Sequence, residues 1–193
     1  MIARLLIVPF GNIWKLKCLC QKISFRPVKK VLLFLYRMHQ YENGSSIAWN
    51  SEFDGEPCFP HGMKSIFISR GARVGRNCVI FQQVTIGSNT LADSNLVGAP
   101  VIGDDCYIAA GAIIVGNVRI GNNVRIGANA VVYKDIPDNS VVVSGEQKII
   151  AKENTLDNRF YSYDRKWVYY DNGKWMPVKE PNIIDIFRRV EHE

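Results

Sequence analysis

The chain has 193 residues, of which 47% are hydrophobic, so it is long enough for one domain with a sizeable core and modest extensions. No stretch approaches the ~20 consecutive apolar residues that a membrane-spanning helix needs, so no segment is expected to cross a bilayer. The formal net charge of +6 originates at the amino terminus, because residues 1–41 hold eight basic side chains and no acidic one. Such a block indicates either solvated helix faces or an anionic contact, such as a membrane surface or a phosphate.

The first predicted elements are helices. Residues 3–24 and 28–41 have helical spacing of apolar side chains, and Pro27 stands where a helix commonly begins. We interpret residues 1–43 as a helical cap that covers the open strand edges of the segment that follows. If this basic cap also rests on the inner face of the membrane, the protein is peripheral there.

A period of six residues runs through the middle of the chain. Aliphatic residues recur at every sixth position from Ile102 to Val132, and smaller residues such as Ala112 and Ala130 recur four positions later. The same phase is present upstream at Ile68, Val74, Ile80 and Ile86, and a fainter set precedes it at Ile47, Phe53 and Phe59.

Neither a helix nor an ordinary strand explains this period, since their repeats are 3.6 and 2 residues. Six residues accommodate one short strand and one turn, and Gly or Asn suits the turn because both tolerate a positive φ. Three such units close a triangular coil, and stacked coils bury the aliphatic side chains inside. We therefore predict an all-β fold, a parallel β-helix of hexapeptide repeats over residues 44–150.

The period breaks twice, and such breaks commonly carry function. From Phe59 to Ile68 the step is nine residues, with the extra residues around His61. From Ile86 to Ile102 the step is sixteen, which predicts a protruding loop at 88–100.

The tail, residues 151–193, leaves the repeat. Its alternating aromatic residues around Asn172-Gly173 predict a hairpin, and a short helix is expected from about Pro181 to Val190. The aromatic side chains suit either a small core that holds the tail to the coil or a surface that stacks on a sugar ring.

The five cysteines indicate neither a disulfide framework nor a metal site. Their number is odd and their spacing matches no zinc or redox pattern, so we expect no metal requirement. Cys78 and Cys106 fall at inward repeat positions that favour a small apolar residue, and a reducing cytoplasm is the expected compartment.

Three motifs give the chain a resemblance to a known family. Phe59-Pro60-His61-Gly62, the run from Ile80 to Gly87 (IFQQVTIG) and the run from Val131 to Pro137 (VVYKDIP) resemble the left-handed β-helix acyltransferases. The resemblance is to the serine acetyltransferase-like branch and its polysaccharide O-acetyltransferase relatives, over roughly residues 44–150. It implies a left-handed coil, acetyl-CoA as co-substrate and a homotrimer; no nucleic-acid partner is expected.

His61 matches the family histidine that deprotonates the acceptor hydroxyl. By itself a lone histidine is as often a satisfied polar residue, and the resemblance favours the catalytic role. The serine-specific branch carries an aspartate fifteen residues before this histidine, and here that position is Ser46. Asp54 is the alternative carboxylate by sequence.

The resemblance also implies candidate ligand contacts. Ala110 and Ala128 match backbone contacts to the pantetheine arm, and Lys134 and Lys148 match basic positions for the nucleotide phosphates. The candidate acceptor contacts are Gln82 and, in the loop at 88–100, Asp93.

From Ser46, the absence of a family histidine in the loop at 88–100 and the short helical segment, we expect an O-acetyltransferase that acetylates a sugar for surface polysaccharide synthesis. A serine O-acetyltransferase of cysteine biosynthesis is the first alternative. A non-catalytic β-helix that binds a ligand or acts as a scaffold is the second.

Overall fold

The computed structural model describes residues 2–145, 160–171 and 174–192. The helices are α1 (Ile2–Ile7), a 3-10 turn (Val8–Phe10), α2 (Ile13–Lys22), α3 (Arg26–Glu42) and α4 (Pro181–His192). The strands are β1 (Ser46–Ile47), β2 (Glu52–Phe53), β3 (Phe67–Ile68), β4 (Arg73–Val74), β5 (Val79–Ile80), β6 (Thr85–Gly87), β7 (Val101–Ile102), β8 (Tyr107–Ile108), β9 (Ile113–Val115), β10 (Arg119–Ile120), β11 (Arg125–Ile126), β12 (Val131–Val132), β13 (Val141–Val142), β14 (Phe160–Asp164), β15 (Lys166–Asp171) and β16 (Lys174–Pro177).

The short strands form three parallel sheets, which are the walls of a prism. Sheet A has the order β1-β3-β6-β9-β12, sheet B β2-β4-β7-β10 and sheet C β5-β8-β11-β13. Each strand pairs with its equivalent in the next coil, so Ile68 is in register with Ile86, and Ile86 with Ile114. The chain visits sheets A, B and C in turn, which gives the six-residue period its structural basis.

The core is the stack of inward side chains along this prism. Ile80, Ile86, Ile108, Ile114 and Ile126 have no exposed surface, and they stack on equivalent residues in the neighbouring coils. Burial of apolar side chains in such a stack is the main source of stability, at about 1.5–3 kcal/mol for each aliphatic side chain.

The turns between sheets follow the expected chemistry. Asn77, Asn123 and Asn129 have φ between 53° and 56°, a left-handed conformation that asparagine tolerates. Gly103 is required for another reason: a Cβ at this position would lie 2.8 Å from the carbonyl oxygen of Gly121 in the next coil.

Helices α2 and α3 cap the first coil. Trp14 stacks on Phe59, with ring centroids 5.7 Å apart and planes at 5°, and the Tyr36 hydroxyl donates a hydrogen bond to the Ile47 carbonyl oxygen (3.0 Å). Lys17 is buried beneath the coil and donates to the Ser51 carbonyl oxygen. In the part of the chain that the structure describes, no helix is long and apolar enough to cross a membrane.

The tail forms an antiparallel sheet, β14-β15-β16, followed by α4. The fold class predicted from sequence is confirmed, including the amino-terminal helices and the hairpin and helix of the tail. The Asn172-Gly173 turn lies outside the described residues, and the domain boundaries at 43 and 150 stay a prediction.

Candidate active site

His61 lies in the insertion that leads from sheet C to sheet A in the first coil. The Gly62 amide donates a hydrogen bond to the Phe59 carbonyl oxygen (3.0 Å), and Gly62 has a φ of 71°, which glycine adopts without strain. The imidazole is exposed and lies edge-on to Phe81, with ring centroids 5.6 Å apart at 61°. Among the described residues His61 has no hydrogen-bond partner, so its ring nitrogens are available to a substrate.

The edge of the prism between sheets C and A runs upward from this insertion. Successive turns along it are joined by backbone hydrogen bonds: Gln83 N to Lys64 O (3.1 Å), Gly111 N to Gln82 O (3.1 Å) and Asn129 N to Ala110 O (3.0 Å). Ala110 and Ala128 therefore share the edge that begins at His61. Their methyl side chains leave the backbone open to an extended ligand.

Gln82 lies on the same edge, one coil above the His61 insertion. Its side-chain oxygen Oε1 is buried and accepts no hydrogen bond within the described residues. A buried acceptor without a partner costs about 1–3 kcal/mol. A ligand that donates an N–H to this oxygen would remove that cost.

The two residues considered as orienting groups for His61 lie elsewhere in the fold. Ser46 is the outward residue of β1 on sheet A, and it lines a cavity between this sheet and α3. Asp54 follows β2 at the edge between sheets B and C, and it is exposed. Neither residue is hydrogen-bonded to His61 among the described residues.

The remaining sequence candidates are also separated. Lys134 follows β12 beyond sheet A, with Nζ 5.7 Å from the ring centroid of its neighbour Tyr133, so it does not share the edge of His61. Asp93 is exposed in the loop at 88–100. Lys148 lies outside the described residues.

The tail anchors the loop at 88–100. The sequence analysis did not predict this contact between the loop and the tail. Asn89 and Gly98 exchange backbone hydrogen bonds of 2.8 and 3.0 Å across its base. Val97 is buried in a cluster with Tyr161 of β14 and Phe187 of α4. Tyr161, Trp167, Tyr169 and Phe187 are therefore core residues, whereas Tyr163 and Trp175 are exposed. The sequence offered only the alternation of these aromatic residues as a signal.

A cavity of about 470 Å³ lies beside the His61 insertion, between the amino-terminal helices and the first coil. Its lining residues are Ile13, Trp14, His39, Glu42, Asn43, Glu56, Pro57, Phe59, Gly62 and Met63. The walls are thus partly aromatic and partly anionic, and Glu56 is held by the Asn12 amide at 3.3 Å. Sequence reasoning missed this cavity because its walls come from segments distant in sequence.

No group of three or more His, Cys, Asp or Glu side chains converges within residues 2–145, 160–171 and 174–192.

The amino-acid sequence is similar to a family of hexapeptide-repeat proteins and to individual serine acetyltransferases. The family model described as bacterial transferase hexapeptide (six repeats) matches residues 99–134. A serine acetyltransferase from Bacillus licheniformis is 33% identical over 133 residues, covering 69% of this chain and 54% of that protein. One from Bacillus pumilus is 35% identical over 99 residues, covering 51% of this chain and 44% of that protein.

The chain is also similar to solved structures of serine acetyltransferases. The crystal structure of Neisseria gonorrhoeae serine acetyltransferase in complex with serine superposes with a TM-score of 0.58 and 28% identity. The match covers 71% of this chain and 55% of that one. The chain spans about half the length of the curated relatives it matches.

The repeats and the fold define a hexapeptide-repeat protein with a left-handed parallel β-helix. Within that class, the chain is similar to the serine acetyltransferases.

The expectation of a sugar acceptor and a role in polysaccharide synthesis is wrong. The relatives and the neighbouring structures are named serine acetyltransferases, which agrees with the alternative of a serine O-acetyltransferase. The expectation was based on three local differences, at Ser46, in the loop and in the helical segment. None of the three alters the repeat or the insertion that carries His61, so they were weak evidence about the acceptor.

Proposed function

We propose that the chain is a serine O-acetyltransferase that transfers an acetyl group from acetyl-CoA to the hydroxyl of serine. The observation that carries the proposal is the position of His61: an exposed imidazole in the insertion at the foot of an edge whose next turns carry Gln82, Ala110 and Ala128. The similarity to proteins named serine acetyltransferases supports serine as the acceptor.

The reaction needs one general base and one hydrogen-bond donor for the oxyanion. Neutral His61 takes the proton of the serine hydroxyl while the oxygen attacks the thioester carbonyl, and the tetrahedral oxyanion is stabilised by a backbone N–H. Collapse of this intermediate breaks the carbon–sulfur bond, and the imidazolium returns its proton to the departing CoA thiolate. The products are O-acetylserine and CoA, with no covalent enzyme intermediate.

We place the acceptor at the mouth of the cavity beside the insertion. Glu42 and Glu56 give its lining the negative charge that a serine ammonium requires, and Phe59 and Gly62 connect it to His61. A neutral sugar can donate hydroxyl hydrogen bonds to these carboxylates but lacks the charge attraction of an ammonium group, so the cavity favours an amino acid on electrostatic grounds.

A homotrimer is part of the proposal. The outer face of sheet A carries Phe67, Ile113 and Val131, which are 47%, 37% and 53% exposed in the single chain. Thr85 lies between Phe67 and Ile113 on this wall. Exposed apolar side chains on one flat wall favour association with copies of the same chain. In such a trimer acetyl-CoA lies along the edge at Ala110 and Ala128, beside a neighbouring subunit.

We also propose a cytoplasmic site of action. All five cysteines are free, including the exposed Cys18 and Cys58, and a reducing compartment keeps thiols in that state.

A peripheral contact with an anionic membrane is a separate proposal. On α3, Val31 and Phe34 are 59% and 61% exposed, and Arg26, Lys30 and Arg37 lie along the adjacent side of the helix. Apolar side chains bordered by cations are typical of helices that lie in a membrane interface. Flotation with phosphatidylglycerol vesicles that is unchanged in Val31→Ser/Phe34→Ser would contradict this contact.

The decisive experiment measures thiol release from acetyl-CoA in the presence of L-serine, D-serine, L-threonine and a panel of sugars. We expect turnover to be highest with L-serine. Equal or higher turnover with a sugar would contradict the assignment of the acceptor. Absence of thiol release with every acceptor would favour a non-catalytic β-helix.

A further inference from the structure

The outer face of sheet C carries an unbroken row of side chains that begins at His61. The His61 ring contacts Phe81 at 5.6 Å between centroids, and Phe81 contacts Tyr107 at 5.1 Å. The row ends at Arg125, whose guanidinium carbon lies 5.9 Å from the Tyr107 ring centroid. The imidazole of the candidate base is therefore connected to one cation through two aromatic rings, those of Phe81 and Tyr107.

Arg125, like Arg119, differs from Arg73 and Arg76 in its charge balance. Arg73 forms an ion pair with Glu52 at 3.0 Å, and Arg76 is paired with Asp104 through two side-chain hydrogen bonds. Arg125 is exposed and forms no ion pair within the described residues. Its charge is therefore available to an anion.

The distance from the candidate base to this cation suits acetyl-CoA. The strand register runs from Cys58 to Val79, then to Tyr107 and to Arg125, which is three coil steps. At ~4.8 Å for each step, the arginine lies about 14 Å along the prism from the coil that holds His61. An extended pantetheine arm separates the sulfur of CoA from its diphosphate by a comparable length.

We propose that Arg125 binds the nucleotide phosphates of acetyl-CoA, with Tyr107 as the platform that holds its guanidinium in place. This inference rests on the proposed function, because it takes acetyl-CoA as the donor with its thioester at His61. A guanidinium forms paired hydrogen bonds with phosphate oxygens, and a cation–π contact limits its freedom before the ligand arrives. Lys134, the basic residue implied by the resemblance, is not on this face.

The test compares two donors, acetyl-CoA and S-acetylpantetheine, which lacks the nucleotide and its phosphates. In Arg125→Ala we expect the KM for acetyl-CoA to rise about tenfold or more, because a charge-assisted hydrogen bond contributes about 1.5–3 kcal/mol. The KM for S-acetylpantetheine and the kcat with either donor should stay unchanged. Arg125→Lys should recover part of the loss, since it keeps the charge but not the planar donor pair.

The matched control is Arg119→Ala. Arg119 occupies the same repeat position one hexapeptide earlier, on sheet B, and it is also exposed. This variant should change neither KM. An unchanged KM for acetyl-CoA in Arg125→Ala would overturn the proposal, and so would equal increases for both donors.

Calorimetric titration of CoA and pantetheine separates this inference from the proposed function. If the wild-type chain turns over no acceptor but loses affinity for CoA on Arg125→Ala, the phosphate site is correct and the proposed reaction is wrong. If it turns over serine and Arg125→Ala binds CoA normally, only the phosphate site is wrong. A wild-type chain that does not bind CoA would overturn both.

Discussion

The ring of His61 lies edge-on to the ring of Phe81, one coil above it, with 5.6 Å between the centroids. Edge-to-face contact between rings is worth about 0.5–1.5 kcal/mol, and it limits the orientations that the imidazole samples. Among the described residues, the candidate base therefore contacts an aromatic ring and is hydrogen-bonded to no carboxylate.

Replacement of His61 tests the proposed chemistry directly. In His61→Ala we expect kcat to fall about 100-fold or more, because general base catalysis commonly contributes 10²–10⁴ in rate. The free energy of unfolding should fall by about 1 kcal/mol or less, since the side chain is exposed and loses only its contact with Phe81. Steady-state kinetics and urea denaturation measure the two effects; a variant with wild-type kcat would eliminate the proposed base.

Gln82 should be dispensable for folding but not for binding. In Gln82→Met, which has a similar volume, the free energy of unfolding should stay equal or rise by about 1 kcal/mol, because a buried oxygen without a partner is removed. The KM for one of the two substrates should rise several-fold. Destabilisation together with unchanged KM values would show that Gln82 has a structural role only.

Ile113 and Ile114 form a matched pair for testing the prism. Ile114 points inward and has no exposed surface, whereas Ile113 points outward and is 37% exposed. Ile114→Ala should lower the free energy of unfolding by about 3 kcal/mol, and Ile113→Ala by about 0.5 kcal/mol or less in the monomer. Urea denaturation measures both, and similar losses in the two variants would contradict the register.

The same pair tests the proposed trimer. Since Ile113 lies on the apolar wall of sheet A, Ile113→Lys should weaken association without unfolding the coil. Light scattering after gel filtration measures the mass. An unchanged mass would show that this wall is not the subunit interface.

The tail should control the mobility of the loop at 88–100. Phe187 stacks on Trp167 at 4.5 Å and contacts Tyr161 at 5.2 Å, in the cluster that buries Val97. In Phe187→Ala, hydrogen exchange at Val97 and Gly98 should accelerate, because the cavity left behind loosens the anchor. Arg188→Ala is the control on the same helix, since its side chain is 69% exposed. Equal exchange in both variants would contradict the anchoring role.

Lys17 gives the fold a pH dependence with a defined sign. Burial lowers the pKa of its ammonium group from 10.5 to about 8, so the unfolded chain binds more protons than the folded chain between these values. The penalty for the buried charge is complete below pH 8, falls as the pH rises and vanishes above 10.5. From this shift it is about 3 kcal/mol at most.

In Lys17→Met the penalty is absent at every pH. The Ser51 carbonyl oxygen keeps a donor in that variant, because the Gln21 amide lies 3.2 Å away. We expect Lys17→Met to be more stable than the wild type at pH 7, with the difference disappearing toward pH 10. Urea denaturation across this range measures it; a difference that grows with pH would contradict the assignment.

The sequence by itself determined the coil and the position of the candidate base. A period of six is incompatible with a helix or a flat sheet, and each inward residue depends only on its equivalent one coil away, so local spacing predicts the stack. The step of nine residues from Phe59 to Ile68 likewise predicted that His61 lies in an insertion between two repeats.

Only the tertiary structure decided which of the other residues meet. Ser46 and Asp54 are close to His61 in sequence, but the three-sided coil places them on another wall and another edge. Phe81, Tyr107 and Arg125 are 20, 46 and 64 residues from His61, yet the coil aligns them on one face. The cavity beside α3 and the anchoring of the loop by α4 also depend on contacts between distant segments, which no local pattern encodes.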